Sequence, residues 1–208
     1  LMGFYSNYVV PRFVTCACGS KPIVRQRQKV VPRARGKILE IGLGAGHNIP
    51  HYDHERVDRV IGIDPCETSW QLAQERVNAV PFDVEFLAGS AEDIPLDDDS
   101  VDSVLLTFAL CTIPDPLAAL SEAKRVMRPG GELVFCEHAQ APDESVQRWQ
   151  ARINPLWKRL AGGCNLNRDI VGLIRTAGFD INELEQMYLP NTPRIAGFNV
   201  WGTAIPRS

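Results

Sequence analysis

Apolar residues fall in short, nearly continuous blocks separated by polar stretches rich in glycine and proline. The blocks near 37–41, 59–63, 84–87, 101–108 and 132–137 predict strands, and two more lie near 180–184 and 198–204. Unbroken apolar runs of this length, rather than strict alternation, are what parallel strands covered on both faces require. Helical spacing appears between them. Asp115 caps one helix and Pro116 opens it, with Leu117, Leu120 and Met127 on one face and Arg128-Pro129-Gly130-Gly131 as the stop. A second spans 169–177, where Ile170, Leu173, Ile174 and Ala177 share a face and Gly178 supplies the left-handed cap. A third is expected over 66–80, and one or two helical pieces over 3–35. Strand and helix alternate, so the chain is expected to be an α/β sheet with helices on both faces. The stretch 138–168 follows the fifth strand, where specificity usually resides. In it Trp149 and Trp157 are spaced for one helix face, but Pro155 between them argues against a single helix.

The first block runs into Glu40-Ile41-Gly42-Leu43-Gly44-Ala45-Gly46, and the second ends on Asp64. A glycine turn after one strand and a carboxylate after the next suit a nucleoside: the backbone approaches the ligand at the glycines, and the carboxylate accepts from ribose hydroxyls. A dinucleotide fingerprint wants its third glycine where His47 stands; here it comes one residue early, at Gly46. Glu40 would repel a pyrophosphate and favour a cation.

Composition adds bounds. A chain of 208 residues with 45% apolar and 23% charged residues suits one globular core with additions. No apolar run approaches a membrane span, and no signal peptide is evident. Six cysteines are scattered with no Cys-x-x-Cys pair, which favours a reducing cytoplasm. His47, His51 and His54 sit at helix-like intervals, but Pro50 breaks the register, so no metal site is expected. The net charge of −3 hides an asymmetry: residues before Glu40 carry +8, leaving −11 for the rest. A basic arm packed on an acidic body is the simpler reading. Peripheral contact of basic residues 12–37 with an anionic membrane is the sharper one. No nucleic-acid partner is expected, because aromatics are not interleaved with the basic run.

Residues 38–46 resemble the opening motif of the class I S-adenosylmethionine-dependent methyltransferases. Further motifs follow in order: Ile61-Gly62-Ile63-Asp64, residues 89–95, residues 102–110 and residues 125–133. Within that superfamily, Leu110-Cys111-Thr112-Ile113, Glu137-His138, Trp149-Gln150, Pro155-Leu156-Trp157 and residues 163–168 are similar to the thiol-methylating methyltransferase-like family and its bacterial relatives. The resemblance implies a Rossmann-like, seven-stranded, mostly parallel sheet whose last strand is antiparallel. It implies methyl transfer from S-adenosyl-L-methionine, leaving S-adenosyl-L-homocysteine, to a small apolar acceptor, thiol first. A lipid or quinone-like O, N or C acceptor stays open, as do a nicotinamide-dependent oxidoreductase and a non-catalytic donor-binding protein. The donor residues implied are Glu40, Gly42, Gly44, Gly46, Asp64, Pro65, Ser90, Ala91, Glu92, Thr107 and Leu110. Ser90 stands where the family usually has an aspartate. His138 is the candidate general base. Residues 1–35 are expected to form a helical cap on a methyltransferase domain of 36–208, with 138–168 as acceptor lid. Loss of the arm up to Val30 is expected to spare donor binding. The hydrophobic N-terminal anchor of the animal proteins is expected to be missing, so residence in a membrane is not expected.

Overall fold

The computed structural model describes residues 19–207. Seven strands, β1 (Gly36–Ile41), β2 (Val57–Asp64), β3 (Asp83–Ala88), β4 (Val101–Thr107), β5 (Met127–His138), β6 (Phe179–Tyr188) and β7 (Phe198–Pro206), form one sheet in the order β3-β2-β1-β4-β5-β7-β6. The first five pair in parallel, and β7 runs antiparallel to both β5 and β6. Strand order reverses at β1, which sits between β2 and β4. Such a switch point opens a crevice at the carboxyl ends of its strands.

Helices α1 (Lys21–Val30), α2 (Glu67–Val77), α3 (Pro116–Val126), α4 (Glu144–Leu160), α5 (Ile170–Thr176) and the single turn α6 (Arg194–Gly197) complete the described fold. Side chains alternate across a strand, and the core divides accordingly. Leu39, Ile41, Leu106, Leu133 and Phe135 pack with Leu120 and Ala123 of α3 and Ile174 of α5. Ile38, Leu105, Val134, Cys136 and Trp201 pack with Val30, Val31 and Ala34 at the end of α1. By the same alternation Glu40 faces the α1 side with Ile38, and Glu137 faces the α3 and α5 side with Phe135.

Local signals explain the element ends. The Asp115 carboxylate accepts from the amides of Leu117 and Ala118, both at 3.1 Å, and opens α3. Asp169 does the same for α5 through Gly172, and Gly178 follows that helix with φ +84°.

Three expectations change. Residues 128–131 do not separate α3 from its strand. They form a bulge inside β5, because Val101 pairs Met127 while Ser103 pairs Glu132, and Gly130 at φ +81° absorbs the detour. α4 runs unbroken through Pro155. A helix tolerates an interior proline when tertiary bonds hold it. Here the buried Gln150 ties α4 to the carbonyl of Ile195 and the amide of Ala141, and Asn154 accepts from the Leu166 amide at 2.8 Å. β6 extends to Tyr188, beyond the expected 180–184, with its middle exposed as the sheet edge. Of the helical pieces expected over 3–35, α1 and a following 3-10 turn are seen, and residues 1–18 lie outside the described residues.

Candidate functional site

A cavity of about 340 Å³ opens at the carboxyl ends of β1, β2 and β4. The glycine loop forms one wall through Gly42, Leu43, Gly44, Ala45 and His47. Asp64, Pro65, Cys66 and Ser69 form the second, and Ser90, Ala91 and Glu92 the third. Phe108, Ala109, Thr112, Ile113, Pro114 and Gly162 close the far end, which is mostly apolar. Gly42 has φ +79°, and a Cβ there would lie 2.7 Å from the Ala109 methyl, so the loop can run this close to the β4 edge only with glycine.

Asp64 is the organising acid of this cavity. One carboxylate oxygen accepts from the Gly44 amide at 3.0 Å and the other from the Cys66 amide at 2.8 Å. The carboxylate therefore pins the glycine loop to the start of α2 and keeps lone pairs for a ligand. Burial raises its pKa, and the two amides oppose that. Glu92 accepts from the Ser90 hydroxyl and from the Asp115 amide, and these bonds hold its carboxyl below the usual range.

Four of the eleven expected donor residues do not line the cavity: Glu40, Gly46, Thr107 and Leu110. Each stands behind it for a local reason. Gly46, at φ +71°, lets the loop lie against Ile49 and Ala73 of α2. The Leu110 amide donates to Glu137 at 3.0 Å. Glu40 is 1% exposed, and its oxygens accept from Asn48 Nδ2 at 2.9 Å and from the Tyr52 hydroxyl at 2.6 Å. Asn48 Nδ2 also donates to Thr107 Oγ1 at 2.8 Å. The buried Arg27 guanidinium donates to Asn48 Oδ1 at 2.5 Å and to Thr107 Oγ1 at 2.6 Å, and it lies over the Phe108 ring at 5.2 Å. One member of the basic arm thus ends inside the sheet's rim. Another, Arg33, pairs with Glu183 at 2.6 Å, and the Lys29 ammonium sits 5.0 Å from the Trp201 ring. Burial pushes Glu40 up to about 7, against the Tyr52 and Asn48 bonds and the Arg27 charge.

A second buried carboxylate supports the far end. Glu137 accepts from the amides of Ala109, Leu110 and Cys111 at 2.9, 3.0 and 3.3 Å. Burial pushes it, too, up to about 7. Arg168 donates to the carbonyls of Leu110 and Ile113, and Asn165 donates to the Cys111 carbonyl through its backbone and its side chain. The segment after β4 is therefore held from both sides. His138, buried at the end of β5, does not line the cavity, and neither of its ring nitrogens has a hydrogen-bond partner. Trp149 is 56% exposed, and neither it nor Trp157 lines the cavity.

The sequence reading passed over Arg27, Asn48, Tyr52 and Glu137. Glu137 carried a signal: like Glu40 and Asp64, it is an acid at the end of an apolar strand. Asn48 and Tyr52 are polar positions directly after the glycine loop. Arg27 carried none, being one of eight similar cations in the arm. Among the described residues no cluster of His, Cys, Asp or Glu is arranged to hold a metal, and no helix is long and apolar enough to cross a membrane.

Comparison with known proteins agrees with this geometry. A family model described as a methyltransferase domain matches residues 39–135. The human thiol S-methyltransferase TMT1B is 33% identical over 176 residues, covering 79% of this chain and 71% of that protein. A demethylmenaquinone methyltransferase of Clavibacter sepedonicus is 33% identical over 125 residues, covering 60% of this chain and 50% of that one. Among solved structures, a methyltransferase in complex with the Haloferax volcanii Trm112 methyltransferase activator superposes with a TM-score of 0.72 at 16% identity, covering 98% of this chain and 96% of that one. This last likeness is one of fold.

Proposed function

Since this chain belongs to the thiol S-methyltransferase family of class I S-adenosylmethionine-dependent methyltransferases, we propose that its cavity takes S-adenosylmethionine with the ribose on Asp64 and methylates a small, apolar thiol. The observation that carries this reading is the Asp64 carboxylate, fixed by two amides and still facing the cavity beside a loop with no Cβ at Gly42. The residues fit the donor chemically. Asp64 accepts from ribose hydroxyls, and Ser90, Ala91 and Glu92 flank the position for the adenine. Asp64 and Glu92 leave the cavity acidic, as a sulfonium prefers. A volume of about 340 Å³ lies in the range of small-ligand sites, about 300–1,000 Å³.

When bound, the donor supplies a methyl group already activated on positively charged sulfur. The chain's own task is alignment, and fixed geometry of this kind lowers a barrier by several kcal/mol, up to about 11 in ideal cases. The Gly42–Ala109 contact and the Glu137-held segment set the distance between the donor end and the apolar end. Phe108, Ile113 and Pro114 exclude water where the acceptor enters. An acceptor thiol, with an ordinary pKa near 8.5, enters with a fraction already ionised. His138 does not line the cavity, so this route makes no use of the base expected there. Glu40, Gly46, Thr107 and Leu110 act from behind, by holding the loop and the β4 edge in place. We assign residues 138–168 as the acceptor lid, on the strength of Gly162 at the cavity rim. We place the enzyme in the cytoplasm, on the scatter of its six cysteines.

The apolar far end also favours a second reading, a quinone-like or lipid acceptor, in line with the name of the Clavibacter relative. Tritiated donor offered with thiols, quinols and phospholipids separates the two by which product carries label. Asp64→Ala tests the donor site. S-adenosylhomocysteine binding should weaken at least tenfold in calorimetry, as expected when a buried hydroxyl pair loses its acceptor. Unchanged affinity would refute the placement of the ribose.

A further inference from the structure

Two cysteines that the methyl-transfer reading leaves unused meet beside the cavity. Cys111 Sγ and Cys164 Sγ are 3.6 Å apart, although 53 positions separate them in the chain. Cys111 is 3% exposed, while Cys164 is partly open to solvent. The His138 ring and the Trp157 indole both lower the pKa of Cys164, and the ring nitrogens of His138 and Nε1 of Trp157 are buried with no hydrogen-bond partner. The backbone is matched as well, since the Asn165 amide donates to the Cys111 carbonyl at 2.9 Å. The pair joins the two segments that close the apolar end: Cys111 adjoins Ala109 and Thr112, and Cys164 lies two residues from Gly162.

We propose that Cys111 and Cys164 are a reversible redox pair whose disulfide, formed by a hydroperoxide, staples the rim of the acceptor end. Cys164 is the attacking sulfur. The thiol of Cys111 holds its pKa down against burial, with a smaller contribution from His138, while the neighbouring sulfur and then burial raise that of Cys111. A partly exposed, low-pKa thiol beside a second, buried one is the arrangement in which peroxide chemistry is selective. Cys164 releases its proton to water, and its sulfur attacks the peroxide. An S–O bond forms, the O–O bond breaks, and the departing hydroxide takes back the proton as water. The Cys111 sulfur then displaces hydroxide from the sulfenic acid. The S–S bond forms, the S–O bond breaks, and the Cys111 proton leaves in a second water. Two thiols are oxidised by two electrons and one hydrogen peroxide is reduced to two waters. The sulfurs must close from 3.6 Å to about 2.05 Å, a shift that the glycines at 162 and 163 can absorb.

The linkage is read without any donor. The full chain, reduced and then treated with equimolar hydrogen peroxide, is capped with N-ethylmaleimide, digested and analysed by mass spectrometry. More than half of the molecules should carry a Cys111–Cys164 crosslink that dithiothreitol removes. Amide exchange over 109–114 and 161–165 should slow at least fivefold in the oxidised chain. No crosslink, or a crosslink with unchanged exchange, would overturn the proposal. Where the donor reading also holds, S-adenosylhomocysteine should dissociate at least fivefold more slowly from the oxidised chain. Failure of the reduced chain to bind it would count against the donor site alone. Cys164→Ser and Cys111→Ser should each turn over in the reduced state and resist peroxide. A folded Cys164→Ser that peroxide still inhibits as strongly would place the sensitive thiol elsewhere, at Cys66 on the cavity wall. If neither variant folds, the crosslink and exchange measurements on the natural sequence decide.

Discussion

Glu40 and Glu137 are two answers to one problem. Each is an acid at the carboxyl end of a buried strand, each is almost wholly removed from water, and burial pushes each up to about 7. Glu40 faces the α1 side and is held by side chains, Asn48 and Tyr52, with the Arg27 guanidinium bonded to the same asparagine. Glu137 faces the opposite side and is held by three consecutive backbone amides. The difference shows in what each controls. A side-chain cradle links elements that could otherwise separate, here the N-terminal helix, the glycine loop and the end of β4. A backbone cradle fixes the path of one segment, here the turn leaving β4. The amides have no alternative partner, whereas side chains can turn to find one.

The contrast can be broken at Glu137 first. Glu137→Ala orphans three buried amides, and an unsatisfied buried donor costs about 1–3 kcal/mol. Loss of about 4 kcal/mol or more in urea unfolding is expected, with acceptor turnover lost in whatever still folds. A loss below about 1 kcal/mol would mean that the turn holds itself.

Glu40→Gln comes next, and its signature is pH. A native pKa near 7, against an ordinary value of 4.5, means the folded chain holds a proton that the unfolded chain has released. Wild-type stability therefore falls as pH rises from about 4.5 to 7 and levels above that. Glutamine removes this dependence, so the variant should gain on wild type by about 3 kcal/mol between pH 4.5 and 7.5, at about 1.4 kcal/mol per pKa unit. Glu137 is present in both chains and cancels. A pH-independent difference between the two unfolding curves would show that Glu40 is not carrying a raised pKa.

Arg27→Ala should cost about 2 kcal/mol, the scale of one charged hydrogen-bonding group lost from a buried network. It should also weaken S-adenosylhomocysteine binding, because Asn48 and the β4 edge lose their tie. This is the opposite of the expectation that the arm is separable from the donor end. Deletion through Val30 should resemble Arg27→Ala at the donor site; donor affinity left intact by the deletion would restore the separable arm. The smallest effect belongs to Trp149→Ala. A side chain 56% exposed on α4 should change stability by less than about 0.5 kcal/mol, and a larger loss in thermal melts would reveal packing there.

The antiparallel last strand of this sheet was foreseen only through family resemblance, whereas the strands themselves were legible in the apolar runs. The Asp115 and Asp169 caps and the Gly178 stop were legible because their signals are local. Pro155 misled, since what rescues α4 is Gln150 reaching distant backbone, which no window of neighbouring residues contains. The bulge at 128–131 was read as a loop because Pro129 and two glycines mark turns and bulges alike. At the site, Asp64 and the glycine loop were legible because their chemistry follows a strand end by a fixed spacing. Glu40 was assigned to the ligand; strand alternation puts it on the side of Ile38, where Asn48 and Tyr52 hold it behind the cavity lining. Arg27, which bonds the same asparagine, lies 80 positions from Thr107, and only the folded chain brings them together.

The position of β7 has a consequence for how this molecule is made. β7 follows both β5 and β6 in the chain, yet it is wedged between them, with seven of its nine residues buried. Until it emerges from the ribosome, both neighbours present unpaired edges, and such edges invite pairing with other nascent chains. Synthesis stalled before Phe198 would leave a sheet that cannot close. The Glu40 network, which uses no residue of β7, could form while the molecule was still exposed to aggregation.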